Sequence, residues 1–169
     1  DVFDAAGLRT YTARSENFFR LIDNNRVQLF PRGLSELASE SVLVQRTAPE
    51  TVMDPYLLMA YPFAGFFYVS PEDGPLADAI RRGFEQAMRD GSYQRLLEET
   101  IMTPWLRATL NLHSRRVLVL RNPEAQDVLG GVDPRHWIIP WGDLLGGRIS
   151  KGASLCEIAE LRSLCLSSF

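Results

Sequence analysis

The chain has 169 residues, of which 46% are hydrophobic and 23% are charged. These values are typical of a globular protein and exclude an intrinsically disordered chain and a fibrous repeat. Eighteen Lys and Arg against 21 Asp and Glu give a net charge of −3, which disfavours nucleic acid as a partner. The longest mostly apolar stretch, residues 56–69, contains a proline and is shorter than the ~20 residues that cross a bilayer. We therefore expect no transmembrane helix.

The two ends of the chain are informative about processing and redox chemistry. The first residue is not Met, and no signal peptide is expected, which fits a mature secreted protein or a fragment. The cysteines are Cys156 and Cys165, so a framework of several disulfides is excluded. If their segment is one α-helix, nine residues place the thiols about 180° apart, and we expect no bridge between them. Cysteine usage leaves the redox compartment open.

The first third of the chain alternates short strands with helices. Residues 8–13 can form a strand, and Ser15 can cap the next helix because its hydroxyl accepts a backbone N–H of the first turn. Asn24 and Asn25 are suited to ending that helix, since Asn tolerates the left-handed conformation. The elements expected next are a strand at 27–30, a short helix from Leu34, and an irregular, proline-rich crossing at 48–62.

The middle of the chain contains the clearest helix. Residues 63–70 are aromatic and β-branched and end at a proline, which predicts a buried strand. A turn then leads to a helix from Leu76 to about Asp90, whose apolar residues recur every four positions, and Gly91 is placed to cap its C-terminus. The elements expected after it are a helix at 93–101, a strand at 116–121 and an extended aromatic patch at 137–141.

This order of elements predicts an α/β architecture with at least some parallel strands. The character of the sequence changes at Gly142, because four glycines fall between residues 142 and 152 and apolar residues then recur at helical spacing. Residues 143–169 are therefore interpreted as an atypical tail, either an amphipathic helix of about two turns or an adventitious appendage.

Familiar catalytic and metal-binding motifs are missing from the sequence. Both histidines are isolated, there is no phosphate loop or nucleophile elbow, and neither cysteine has a histidine nearby in sequence. Arg32 stands out because it follows a short predicted strand, at the edge where ligands of open α/β sheets collect. Its guanidinium could grip a carboxylate, or it could lie exposed in a turn or pair with Glu36 four residues on. Ser15 is likewise either a helix cap alone or part of an anion-binding helix N-terminus.

Several segments, taken in order, resemble family 3-type extracellular solute-binding proteins, the amino-acid-binding receptors of ABC transporters. Residues 24–36, which include Phe-Pro-Arg-Gly, are similar to one motif of that family. Residues 61–69 resemble the strand by which those chains return to their first lobe, and residues 76–93 resemble their late helix with its Asp-Gly-Ser-aromatic break. Residues 116–123 and the region around Trp137 resemble a divergent branch of these domains.

The resemblance covers about residues 5–141 and implies a periplasmic-binding-protein-like II fold, in which two α/β lobes close on a small ligand. It implies a second-lobe segment at 1–60, followed at 61–142 by a crossing strand and the C-terminal helices of the first lobe. The chain would then be the C-terminal portion of such a receptor. An incomplete lobe of this kind is expected to favour homo-oligomers.

The function implied by the resemblance is non-catalytic binding of a small polar or anionic solute, amino-acid-like, in the periplasm. The partners would be that solute and an ABC permease or a sensor protein, with no cofactor, metal or nucleic acid. The implied ligand-binding residues are Ser15, Arg32 and Glu36. Arg32 stands where many relatives have an Asp that holds the ligand's amino group, so an anionic or polar solute fits better than an α-amino acid in the usual pose. Glu36 could restore a negative charge nearby.

Two alternatives remain open. Some relatives catalyse eliminations on small carboxylates, with an acidic residue transferring the proton and an arginine holding the carboxylate. Glu36 and Arg32 could take those roles in a dehydratase-type enzyme. The chain could also be a truncated receptor fragment that folds without binding a solute.

Overall fold

The computed structural model describes residues 2–63, 65–125, 130–132 and 141–165. Helices and strands follow one another along these ranges, with short 3-10 turns between some of them. Their bounds, in chain order, are α1 (Val2–Ala5), α2 (Phe18–Asp23), α3 (Leu34–Thr47), β1 (Leu57–Ala60), α4 (Gly74–Asp90), α5 (Ser92–Thr100), α6 (Pro104–Leu110), β2 (Arg116–Val119), α7 (Trp141–Leu145) and α8 (Gly152–Leu155).

Within the described residues, β1 and β2 form a two-stranded parallel sheet. Leu57 lies opposite Arg116, and the register runs to Ala60 opposite Val119. Helices α4, α5 and α6 lie between the two strands in sequence and form the crossover that parallel pairing requires. The predicted α/β class with parallel strands is therefore confirmed.

The other edge of β2 is bordered by a segment near the C-terminus. The N–H of Val117 donates to the carbonyl oxygen of Ser150 at 2.9 Å, and the N–H of Gly152 donates to that of Arg115 at 2.7 Å. A Cβ at Gly152 would lie 1.8 Å from the carbonyl oxygen of Leu112, so only glycine permits this close approach. This segment therefore packs directly against the sheet.

The hydrophobic core lies among α6, β2 and the C-terminal segment. Leu106 and Leu110 of α6 and Leu144 of α7 are its most completely buried large side chains. The buried residues in contact with one another are Met102, Leu106, Leu110, Leu112, Val117, Leu144, Leu155, Leu161 and Leu164. Because three of them follow residue 150, the tail contributes to the core.

The buried Arg115 joins the sheet to α6. Arg115 is 4% exposed, and its Nη1 donates to the carbonyl oxygens of Asp54 at 2.6 Å and Leu57 at 2.7 Å. Its Nε donates to the carbonyl oxygen of Leu110 at the end of α6. Burial lowers the pKa of Arg115, and the Asp54 carboxylate, 4.0 Å away, opposes that effect. Arg115 thus satisfies three backbone acceptors that converge beside the core.

The predicted long helix is confirmed as α4. Asp73 caps it by accepting the N–H of Leu76 at 3.1 Å, and it ends at Gly91, whose φ of +76° is the left-handed conformation that glycine adopts at low cost. The predicted helix at 93–101 is confirmed as α5, and Tyr93 packs edge-on against Phe84 of α4 with ring centroids 5.1 Å apart. The predicted strand at 116–121 is confirmed as β2.

Three predicted strands are wrong. The described residues of 8–13, 27–30 and 63–70 contain no strand. Short apolar runs form strands only where another strand is available to pair with them. In residues 27–30, the ring of Phe30 packs instead on Phe18 of α2, with centroids 4.6 Å apart.

Two further bounds differ from the expectations. The crossing at 48–62, expected to be irregular, contains β1, because its short apolar run finds β2 as a partner. The second helix, expected to be short, extends over fourteen residues as α3. Of the expected aromatic patch at 137–141, residues 137–140 lie outside the described residues, and Trp141 begins α7.

The expectation that the two cysteines could not bridge is wrong. Cys156 and Cys165 form a disulfide, with their Cα atoms 5.6 Å apart. The tail is not one helix: α8 ends at Leu155, and a separate 3-10 helix, Ala159–Leu164, follows it. The change of direction between the two brings the thiols together. The domain boundaries at 60/61 and 142/143 stay predictions.

Candidate functional site

Arg32 lies just before α3, where the helix itself holds its guanidinium. Its Nη2 donates to Glu36 Oε1 at 2.6 Å, and its Nε donates to Glu40 Oε2 at 2.7 Å. The hydrogen bond that Arg32 donates to Glu40 is the largest cause that raises the pKa of Arg32 above its ordinary value; burial opposes it, and the charges of both glutamates add to it. This arrangement corresponds to the internal pairing that the i, i+4 spacing allowed, with Glu40 as an additional partner.

Glu36 is also engaged by the start of its own helix. Its Oε2 accepts the N–H of Gly33 at 2.8 Å, and its own N–H donates to the carbonyl oxygen of Gly33 at 3.0 Å. This reciprocal pair satisfies two backbone groups at the helix N-terminus, as in a capping box. Arg32 and Glu36 are therefore brought together as predicted residues, but each is held by contacts within the chain.

Phe30 connects this ion-pair cluster to α2. The Arg32 guanidinium carbon lies 4.8 Å from the centroid of the Phe30 ring, in a cation–π contact. The same ring also packs against Phe18 and Phe19 of α2, with centroids 4.6 and 5.5 Å away. These contacts leave Phe18 and Phe19 half-buried on the apolar side of α2.

Ser15 does not cap a helix as expected. It is the exposed first residue of the 3-10 turn Ser15–Asn17, whose N-cap position falls on Arg14. That turn precedes α2 and displaces its N-cap to Asn17, which makes no side-chain capping hydrogen bond. The structure therefore brings Ser15 neither to Arg32 nor into the cleft described next.

A cleft of about 610 Å³ lies along the polar side of α2, and we call it the arginine cleft. Three guanidinium-bearing residues and two asparagines provide its polar groups. Its lining residues are Ala13, Arg14, Asn17, Arg20, Leu21, Asn24 and Arg26. The volume is within the range of about 300–1,000 Å³ that small-molecule sites occupy.

The local sequence explains how these residues meet. Arg20 and Leu21 lie within α2, and Asn17 and Asn24, which flank the helix, are three or four positions from each of them, so the four residues lie on one side of this segment. The chain then reverses at Asn25, whose φ of +55° is left-handed, and the N–H of Arg26 donates to the carbonyl oxygen of Leu21 at 2.8 Å. This reversal returns Arg26 to the face that carries Arg20.

The arginine cleft is electropositive. Among the residues that the structure describes, no acidic residue lines it, and none of Arg14, Arg20 and Arg26 forms an ion pair. Guanidinium groups bind carboxylates and phosphates through two parallel N–H donors, and asparagine amides add further donors. The arrangement can therefore bind an anion, whereas the Arg32 guanidinium already has its carboxylates.

Sequence reasoning missed these three arginines. The usable signal was the i, i+4 spacing of Arg20 and Asn24 on the side of the helix away from Phe18 and Phe19. The turn at Asn25, which was correctly expected to end the helix, would then have placed Arg26 beside them.

Metal and membrane signals are missing from the described ranges. No group of three or more His, Cys, Asp or Glu residues there is arranged to hold a metal ion. None of the described helices is both long and apolar enough to cross a membrane.

Comparison of the chain with protein-family models, with curated proteins and with solved structures gives no match. The described chain is a mixed α/β protein with an electropositive cleft on α2, and its family stays a prediction from the sequence.

Proposed function

We propose that this protein is a non-catalytic binding domain for a small anionic solute and that the arginine cleft is its binding site. The single observation that carries the proposal is the convergence of Arg14, Arg20 and Arg26, each without an ion-pair partner in the described residues, around a cleft of ligand size. Three positive charges that no described residue neutralises favour a ligand with carboxylate or phosphate groups.

The setting that we propose is the periplasm, with the solute delivered to an ABC permease or to a sensor protein. The resemblance of residues 24–36, 61–69 and 76–93 to solute-binding proteins supports this setting, as does an α/β fold with parallel strands. The Cys156–Cys165 disulfide supports an oxidising compartment, because structural disulfides persist there and are rare in the cytosol. A periplasmic-binding-protein-like II fold is part of the same proposal.

We assign binding to the arginine cleft and not to Ser15, Arg32 and Glu36, the residues that the resemblance implies. Arg32 and Glu36 bind each other, and Glu36 also accepts a backbone N–H, so both side chains act on the start of α3. An elimination would need Glu36 free to take a proton from a substrate. These contacts give non-catalytic binding better support than a dehydratase-type reaction.

Isothermal titration calorimetry tests the proposal directly. The probes are succinate and inorganic phosphate, with putrescine as a cation and glucose as a neutral compound. We expect saturable binding of at least one anion, weakened by added salt because exposed charges are screened. Arg20→Gln should weaken that binding about tenfold, which corresponds to about 1.4 kcal/mol.

Arg82→Gln is the matched control, because it removes the same charge from an exposed position on α4, outside the cleft. It should leave the affinity unchanged. Equal effects of the two variants would indicate attraction by net charge alone and contradict the site. A correctly folded chain that binds neither anion would favour a receptor fragment that has lost its binding function.

A further inference from the structure

The turn that ends α2 holds the main chain of Arg26 in place. The N–H of Asn25 donates to the carbonyl oxygen of Ile22 at 2.8 Å. The N–H of Arg26 donates to the carbonyl oxygen of Leu21, also at 2.8 Å. Together with the left-handed φ of +55° at Asn25, these two hydrogen bonds form a Schellman motif. Arg26 therefore reaches the arginine cleft from a fixed position at the C-terminal end of α2.

The other two arginines of the cleft come from different positions along the same segment. Arg14 precedes the 3-10 turn, and its carbonyl oxygen accepts the N–H of Asn17 at 2.9 Å. Arg20 lies inside α2. The backbone of the segment thus runs from one arginine before α2, through a second within it, to Arg26 after it. A single carboxylate forms its two parallel hydrogen bonds with one guanidinium, so a ligand with one anionic group leaves the other guanidinium groups without a partner.

The cleft also has apolar and acceptor groups among its arginines. Ala13 and Leu21 are apolar lining residues, and they suit a short carbon chain better than inorganic phosphate. Asn24 Nδ2 donates to the carbonyl oxygen of Arg20 at 2.7 Å, which orients the amide. Its Oδ1 accepts no hydrogen bond from a described residue and is an acceptor in a cleft whose guanidinium groups only donate. A hydroxyl on the ligand is a donor that fits this oxygen.

We propose that the arginine cleft binds a small dicarboxylate that carries a hydroxyl on its carbon chain, with one carboxylate on Arg14, the other on Arg26 and the hydroxyl donating to Asn24 Oδ1. This inference rests on the proposed function and names the ligand class of that same site. Arg20 lies between the two carboxylate positions and adds a third positive charge. An ammonium in place of the hydroxyl would also donate, but it would add a like charge beside the arginines and is therefore disfavoured.

Isothermal titration calorimetry with the full chain and four acids tests the ligand class. Succinate should bind at least about tenfold more tightly than propionate, because it gains a second charged pair of hydrogen bonds. L-Malate should bind about fivefold more tightly than succinate, since its hydroxyl adds one hydrogen bond. L-Aspartate, which has the same carbon skeleton and an ammonium instead of that hydroxyl, should bind at least about tenfold more weakly than L-malate.

Variants locate the two kinds of contact. Arg14→Gln and Arg26→Gln should each weaken succinate about tenfold and propionate less than about threefold, because propionate needs only one guanidinium. Arg82→Gln is the matched control on exposed α4 and should leave the ratio of the two affinities unchanged. Asn24→Ala should abolish the preference for L-malate over succinate and keep the succinate Kd within about threefold. Circular dichroism checks that each variant keeps its helices.

The outcomes separate this inference from the function on which it rests. Equal affinities for succinate and propionate, for L-malate and succinate, or for L-malate and L-aspartate would overturn the ligand class and leave anion binding in place. Binding of inorganic phosphate without binding of any of the four acids would do the same. A folded chain that binds neither phosphate nor any of these acids would overturn the ligand class and the proposed function together.

Discussion

Replacing Arg115 by Met should destabilise the protein strongly, although Met fills much of the same volume. The guanidinium donates to three carbonyl oxygens, those of Asp54, Leu57 and Leu110. Three acceptors left without a charged donor correspond to about 5 kcal/mol, at roughly 1.5–2 kcal/mol each. The substitution also removes the desolvation cost of a buried charge, which offsets part of this loss. We therefore expect the free energy of unfolding to fall by about 3 kcal/mol.

Urea unfolding followed by circular dichroism measures this loss. With an m value of about 2 kcal/mol/M, the midpoint should fall by about 1.5 M. Arg116→Met is the control at the next position, where the side chain is exposed on β2, and it should change stability by less than about 0.5 kcal/mol. A loss below about 1 kcal/mol for Arg115→Met would refute the view that this arginine satisfies the backbone at the junction of β1 and α6.

Further predictions concern the disulfide and two glycines, Gly91 at the end of α4 and Gly83 inside it. The Cys156–Cys165 bridge closes a loop of about ten residues, so replacing both cysteines by Ser should lower the free energy of unfolding by about 2.7 kcal/mol; reductant should destabilise the parent and leave the double variant unchanged. Gly91→Ala should destabilise by about 1–2 kcal/mol because φ is +76° there. Gly83→Ala, inside α4 with open space around its Cβ position, should instead stabilise by about 0.5–1 kcal/mol, and thermal melting that gave both substitutions the same sign would contradict this assignment.

The helices of the fold were predictable because their signals are local. Apolar residues four apart, a capping Asp73 and a terminal Gly91 define α4 within a single stretch of sequence. The strands were less predictable, because a strand exists only where another strand pairs with it. Residues 57–60 and 63–70 have similar apolar character, and among the described residues of these two runs only 57–60 pair with β2.

The candidate site shows the same contrast. The i, i+4 spacing of Arg32 and Glu36 allowed them to pair, and the structure confirms this contact. Glu40, one turn further on, also binds the guanidinium. Spacing alone does not predict this contact, because it depends on the conformation of the side chains. The arginine cleft depends on the reversal of the chain at Asn25, which is set by the φ angle of that one residue. The disulfide was not predicted, because it requires the break between α8 and the 3-10 helix that follows, whereas one continuous helix would hold the two thiols apart.

The parallel pairing of β1 with β2 has a consequence for the order of folding. The paired residues Leu57 and Arg116 are separated by 59 positions, so the sheet closes a long loop, and closing it is entropically unfavourable before any contact forms. The α4–α5 pair inside that loop needs only neighbouring residues and can form early, which shortens the effective distance between the strands. We expect the sheet to form late, and the folding rate to depend more on the helical pair than on the strands themselves.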